Sequence, residues 1–150
     1  MKHAVFKSVK DDYKLMGKFL CKIVQYYDGD TIRIVIYDDG KLRQFKVRIN
    51  GYDSPEMKPS LKNPNRNIEI SAAIAATNFL SSLFKKDNDM AYIIAHKYDK
   101  YGRILANLYT RKNYFLFKVI GENITPKMIE NKHGVEYFGG KKIPYELAEK

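Results

Sequence analysis

Three carboxylates and two arginines stand out for the chemistry they could do together: Asp30, Asp53, Glu56, Arg48 and Arg103. Asp30 belongs to Asp28-Gly29-Asp30-Thr31, where Asp28 and Gly29 suffice for a turn and Asp30 stands at the start of the next apolar run. Asp53-Ser54-Pro55-Glu56 adds two carboxylates, with Pro55 stiffening the backbone between them. A hard divalent cation takes oxygen ligands from carboxylates, backbone carbonyls and water. Asp30, Asp53 and the Ser54 carbonyl could supply such a set. Arg48 and Arg103 are two of only six arginines among 27 basic residues, so lysine does the bulk charge work elsewhere. Arginine in place of lysine points to bidentate recognition of phosphate. Each feature also has a plain explanation: Asp-Gly makes a hairpin turn, Pro55 sits inside a polar turn, and an arginine is often simply solvated.

Strands must hold these residues at one end of a fold. Residues 20–27 read as a strand, followed by Asp28-Gly29, a dipeptide favoured in tight hairpin turns because both positions tolerate positive φ. Residues 31–37 place Ile32, Ile34 and Ile36 on one face, and residues 43–50 do the same for Phe45, Val47 and Ile49. A polar loop over 57–67 leads to a helix expected over 68–85, with Ile70, Ala73, Ile74, Thr77, Leu80 and Phe84 on its packing stripe. Strands at 90–97 and 103–109 are joined by Asp99-Lys100-Tyr101-Gly102, and the run 114–120 extends the sheet. Thr125-Pro126 reads as the N-cap and first position of a short helix reaching about residue 132. Three strands, a helix, then two or three strands is the order of an α+β chain folded as a five-stranded OB-type β-barrel, with one or two short C-terminal helices. Residues 1–19 are read as an N-terminal extension and residues 20–150 as a single domain.

The bulk numbers agree with one soluble-type domain: 45% hydrophobic and 29% charged residues over 150 positions. The charge is less ordinary. At +10 the chain is drawn to polyanions, either nucleic acid or an anionic membrane surface. The single cysteine, Cys21, excludes an internal disulfide and a Cys-rich zinc site, and its apolar setting predicts a buried, inert thiol. His3, His96 and His133 lack zinc spacing and are assigned no catalytic role. Lysines and aspartates interrupt the first 24 residues, so no signal peptide is expected; nor does any apolar run reach membrane-spanning length. On those grounds the protein is expected to be intracellular, without a membrane partner, and monomeric.

Taken together, the segments resemble the staphylococcal-nuclease (thermonuclease) family, from about Cys21 to Tyr137. The resemblance rests on Asp28-Gly29-Asp30-Thr31, on Arg48 five residues before Asp53, on Asp53-Ser54-Pro55-Glu56, and on Asp99-Lys100-Tyr101-Gly102-Arg103. It implies a calcium-dependent nuclease cutting DNA and RNA with little sequence preference. Asp30, Asp53 and the Ser54 carbonyl would bind calcium, and Glu56 would position or deprotonate the attacking water. Arg48 and Arg103 would hold the scissile phosphate, Lys100 and Tyr101 a terminal phosphate, and Tyr137 the base. Departures are Ser54 where the family commonly has Thr, Gly139 where a second aromatic is expected, a longer segment from Asn113 to Asn123, and an end at Lys150 too short for the family's C-terminal helix. The alternative is a catalytically inactive nucleic-acid-binding OB-fold module. An eroded module should have lost one of the five central residues, and all five are present. A weaker alternative is a basic OB domain that stacks single strands on its aromatics.

Overall fold

The computed structural model describes residues 14–142; residues 1–13 of the expected extension, and the tail from 143 onward, lie outside the described residues. Among the described residues eight strands and two helices follow in chain order. They are β1 (Gly17–Tyr26), β2 (Thr31–Asp38), β3 (Lys41–Ile49), β4 (Gly51–Asp53), α1 (Arg66–Lys85), β5 (Met90–Tyr98), β6 (Ile104–Tyr114), β7 (Phe117–Asn123), α2 (Thr125–Glu130) and β8 (Val135–Tyr137). The chain is α+β, as expected.

Five strands close on themselves. The order β3-β2-β1-β5-β6 is antiparallel throughout, and β6 then returns to β3 in a parallel pairing that sets Val47, Arg48 and Ile49 opposite Ile104, Leu105 and Ala106. This ring is compatible with the expected OB-type arrangement. Alternation fills it: Ile32, Ile34 and Ile36 from β2 meet Val47 and Ile49 from β3, with Ile93, Ile104 and Leu108 beyond. Phe45 shares that face and is partly buried against the same core. Cys21 is buried, and burial pushes its thiol up to about 12, so it is inert at neutral pH. No helix of the described residues is long and apolar enough to cross a membrane.

Several elements depart from expectation for identifiable reasons. The first strand starts at Gly17 rather than 20, and Leu15 already lies in the core. The run 114–120 is not one strand: β6 reaches Tyr114 and turns over Phe115-Leu116 into β7. The short helix begins at Thr125 itself, with Ile124 rather than Thr125 at the N-cap; Asn123 Oδ1 accepts the Thr125 amide at 3.0 Å, while the Thr125 hydroxyl donates to the Asn50 carbonyl at 2.9 Å. That helix ends at Glu130. The stripe of α1 is rotated: Glu69, Ala73, Ala76, Leu80 and Phe84 are buried, whereas Ile74 faces outward.

The rotation follows from how closely α1 approaches the β1–β2 connection. A Cβ on Gly29 would lie 2.8 Å from the Cβ atoms of both Ala76 and Ser54. Only small residues fit there, so alanine takes the inward position and isoleucine does not. Gly29 is therefore required by close approach, not by the positive φ expected of an Asp-Gly hairpin. Gly29→Ala is expected to destabilise the fold by about 1–3 kcal/mol, the usual cost of overpacking. An unchanged denaturant midpoint would refute that reading of the contact.

Two short segments escaped the periodicity altogether. At Gly51, with φ of +96°, the chain kinks out of β3 into β4, which pairs with β8 through Gly51–Tyr137, Tyr52–Glu136 and Asp53–Val135. Three residues are too few to display an alternation.

Candidate functional site

The β2–β3 register sets Thr31 opposite Arg48, and the Ile49 amide donates to the Asp30 carbonyl at 2.8 Å. Asp30 and Arg48 are thereby neighbours at one end of the ring. The kink at Gly51 then carries Asp53 back to them. Tyr52, fully buried, donates its hydroxyl to the Gly29 carbonyl at 2.5 Å and ties β4 to the turn that presents Asp30.

The result is a buried charge cluster. Arg48 Nη2 lies 2.8 Å from Asp53 Oδ1 and 3.3 Å from Asp30 Oδ2, with all three side chains no more than 11% exposed. Nη1 donates to the carbonyls of Ile49 at 2.6 Å and Tyr52 at 2.9 Å. Asp30 accepts the Thr31 hydroxyl at 3.0 Å and the Ser54 amide at 2.8 Å. Burial of polar and charged side chains is tolerable only with pairing and hydrogen bonding of this density.

Glu56 sits just outside, half exposed. Its backbone amide donates to Glu69 Oε1 at 3.1 Å, and Glu69 also takes the Asn63 side-chain amide at 2.8 Å. Lys142 bridges Glu56 Oε1 at 2.6 Å and Asp53 Oδ2 at 3.1 Å. Arg103 approaches from the β5–β6 connection. Its Nε donates to Asp99 Oδ2 at 2.7 Å, and its Nη1 reaches Thr31 Oγ1 at 3.5 Å, the hydroxyl that also bonds Asp30. Asp99 accepts the amides of Tyr101 and Arg103 as well, so one carboxylate shapes the whole connection. Tyr101 is exposed, with the Lys100 ammonium 5.0 Å and the Arg103 guanidinium 5.6 Å from its ring centre.

Of the residues expected to act together, Asp30, Arg48, Asp53 and Ser54 are in direct contact, Glu56 joins through Lys142, and Arg103 joins through Thr31. Lys100 and Tyr101 accompany Arg103. Tyr137 stands apart, at the Gly51 end of the β4–β8 pair, where its hydroxyl donates to the Gly140 carbonyl at 3.0 Å. Sequence reasoning missed Tyr52, Glu69 and Lys142, and it assigned Asp28 to the turn alone. Among the described residues, no three of the types His, Cys, Asp and Glu converge as a metal cluster.

Asp28 is more than a turn former. Its Oδ1 accepts the Asp30 amide at 3.1 Å, and burial, with the Asp30 charge adding to it, pushes its carboxyl up to about 7. Burial also raises Asp53, with Lys142 opposing and Asp30 reinforcing the rise. A carboxyl whose folded-state value is raised binds its proton more tightly folded than unfolded. Its contribution is therefore full at low pH and is lost as pH climbs from the ordinary carboxylate range, about 4, through its folded value. For Asp28 that window ends near 7. Asp28→Asn keeps an acceptor for the Asp30 amide and removes the charge. In metal-free buffer the variant should gain stability relative to the parent between pH 5 and pH 8. Parallel denaturation curves with no relative gain would show that Asp28 is ionised without penalty.

No family model matches the sequence. Over an alignment of 118 positions that covers 73% of the chain, the sequence is 29% identical to a protein of Paracoccidioides lutzii (strain ATCC MYA-826 / Pb01) named probable endonuclease LCL3. The aligned part is 31% of that protein, so the chain spans about a third of the length of the relative it matches.

Proposed function

We propose that this chain is a calcium-dependent nuclease that hydrolyses phosphodiester bonds of DNA and RNA, with its site at the rim of an OB-type barrel. The observation that carries the reading is the buried Asp30–Arg48–Asp53 cluster, joined through Thr31 to Arg103. Two carboxylates and two guanidiniums at one sheet end suit a hard cation and an anionic ester together. The distant likeness to a protein named as an endonuclease and the charge of +10 support the same substrate class.

The donors suit calcium. Asp30 and Asp53 offer carboxylate oxygens, Ser54 adds a carbonyl, and a positive group, the Lys142 ammonium, already bridges Asp53 and Glu56. When bound, the ion supplies positive charge beside the phosphate. The remaining work falls to side chains. Glu56, half exposed on a backbone anchored by Glu69 and reached by Lys142, would orient a water and accept its proton. Arg103 is gripped at Nε by Asp99 and touches the Thr31 hydroxyl through Nη1, which leaves Nη2 for a phosphate oxygen. Arg48 is fully engaged in this structure, so it reaches the ester only by exchanging a carboxylate partner for phosphate. Lys100 and Tyr101, alongside Arg103, form the next phosphate contact, and Tyr137 a base contact. Contacts led by phosphate carry no base information, hence low sequence preference.

The test is incubation of the purified protein with plasmid, single-stranded DNA and RNA, with calcium or with a calcium-selective chelator. Cleavage of all three that stops with chelation is expected. Cleavage surviving chelation would remove calcium from the scheme. Binding without cleavage would leave the inactive module as the function.

A further inference from the structure

Among the described residues two hairpins have two-residue turns, and they are built from opposite chemistry. The β2–β3 turn is Asp39-Gly40, with φ of +47° and +73°, the residue types that tolerate left-handed backbone. The β6–β7 turn is Phe115-Leu116, and Phe115 holds φ of +51°, a conformation rare for a bulky side chain. Tyr114, Phe115, Leu116 and Phe117 are 60%, 89%, 95% and 71% exposed. Elsewhere among the described residues exposed apolar side chains do not form such an unbroken run at a turn. Phe115 stands edge-on to Tyr114, ring centres 5.0 Å apart, so the tip has a defined shape. Local turn chemistry and solvation both argue against these residues at that position, which is where a binding surface is expected.

The base of the hairpin is basic. Arg111, Lys112 and Lys118 lie on its two strands, and Lys86 lines the cleft beside it. Against these four stand Asp87, which pairs with both Arg111 and Lys118, and Glu122 at the far end of β7, which pairs with Lys127. We propose that the β6–β7 tip docks the protein on an anionic lipid surface. Phe115, Leu116 and Phe117 enter the acyl boundary, Tyr114 sits at headgroup level, and the basic collar meets the lipid charge. Four residues are too few to span a bilayer, so this is a shallow contact. Leu116, the most exposed of the four, selects lipid over single-stranded nucleic acid, because an aliphatic side chain offers no face for a base to stack on. The surface is separate from the carboxylate cluster, and the proposal does not depend on the nuclease reading.

The chain has no tryptophan, so Leu116→Trp makes the tip its own reporter. With vesicles of phosphatidylcholine and phosphatidylglycerol, emission should shift to the blue and become shielded from an aqueous quencher. Phosphatidylcholine alone should give a weaker response. Phe115→Ser with Phe117→Ser in that background should lower partitioning on the order of a hundredfold, and Lys112→Glu roughly tenfold. Flotation of the unmodified chain with the same vesicles, against Phe115→Ser with Leu116→Ser, repeats the test without the reporter. No shift and no flotation would overturn the proposal. So would a shift produced equally by oligothymidylate, which marks the tip as a stacking site. A concentration-dependent shift in buffer alone would instead assign it to self-association.

Discussion

Glu56→Gln is expected to lower the rate of phosphodiester cleavage by roughly 10²–10⁴-fold, the usual contribution of a positioned general base. Nucleotide affinity should stay within a few-fold of the parent. The exchange is nearly isosteric, and the position favours a clean result. The Glu56 side chain is 47% exposed, so its replacement leaves no buried void. Its backbone amide keeps the bond to Glu69, and a glutamine oxygen can still accept from Lys142. What disappears is a carboxylate able to take a proton from water. Single-turnover cleavage and equilibrium binding of a nucleotide, measured with calcium, separate the two effects. Turnover within tenfold of the parent would sink Glu56 as the base. Loss of the folded state would make it structural.

The sequence displayed whatever is encoded within a few residues. Ile32, Ile34 and Ile36 announce an inward face because strand periodicity is local, and the β2–β3 pairing follows from a turn whose residues suit it. That register makes Asp30 and Arg48 neighbours, but in the sequence the two are grouped by motif order and resemblance, because nothing local fixes their proximity. The surroundings of the site were not legible. Lys142 meets Glu56 across 86 residues of chain, and no spacing rule connects them. Glu69 looks like an ordinary acidic residue in a first helical turn until the loop brings the Glu56 amide to it. The inward face of α1 was misjudged by hydrophobicity, because closeness to Gly29 favours Ala76 over Ile74. Phe115-Leu116 were read as strand for the same reason: they are apolar, and only the backbone shows that they turn. Tertiary proximity and deliberate breaches of local preference are where a single sequence is least informative.

Arg48→Ala should be the most damaging single change in the site, in stability as well as activity. Its guanidinium supplies two carbonyls through Nη1 and two carboxylates through Nη2, all at a nearly buried position. Removal leaves Asp30 without a cationic partner and Asp53 with Lys142 alone, and breaking a buried pair typically costs about 3–5 kcal/mol. Arg48→Lys should recover only part of this, since one ammonium cannot span both pairs of acceptors. The two carboxylates do not lack every remedy, however. If calcium binds Asp30 and Asp53, it neutralises the charges that Arg48 leaves behind, and ligand binding to the folded state raises stability by mass action. Calcium should therefore raise the melting temperature of Arg48→Ala more than that of the parent, while cleavage stays depressed because the phosphate contact is gone. Calorimetry with and without calcium reads the first effect independently of catalysis. A calcium response in Arg48→Ala no larger than in the parent would mean that the ion does not sit on Asp30 and Asp53. The same melt with Lys142→Ala provides the control: that lysine touches Asp53 and Glu56 from the half-exposed side, so its loss should cost far less.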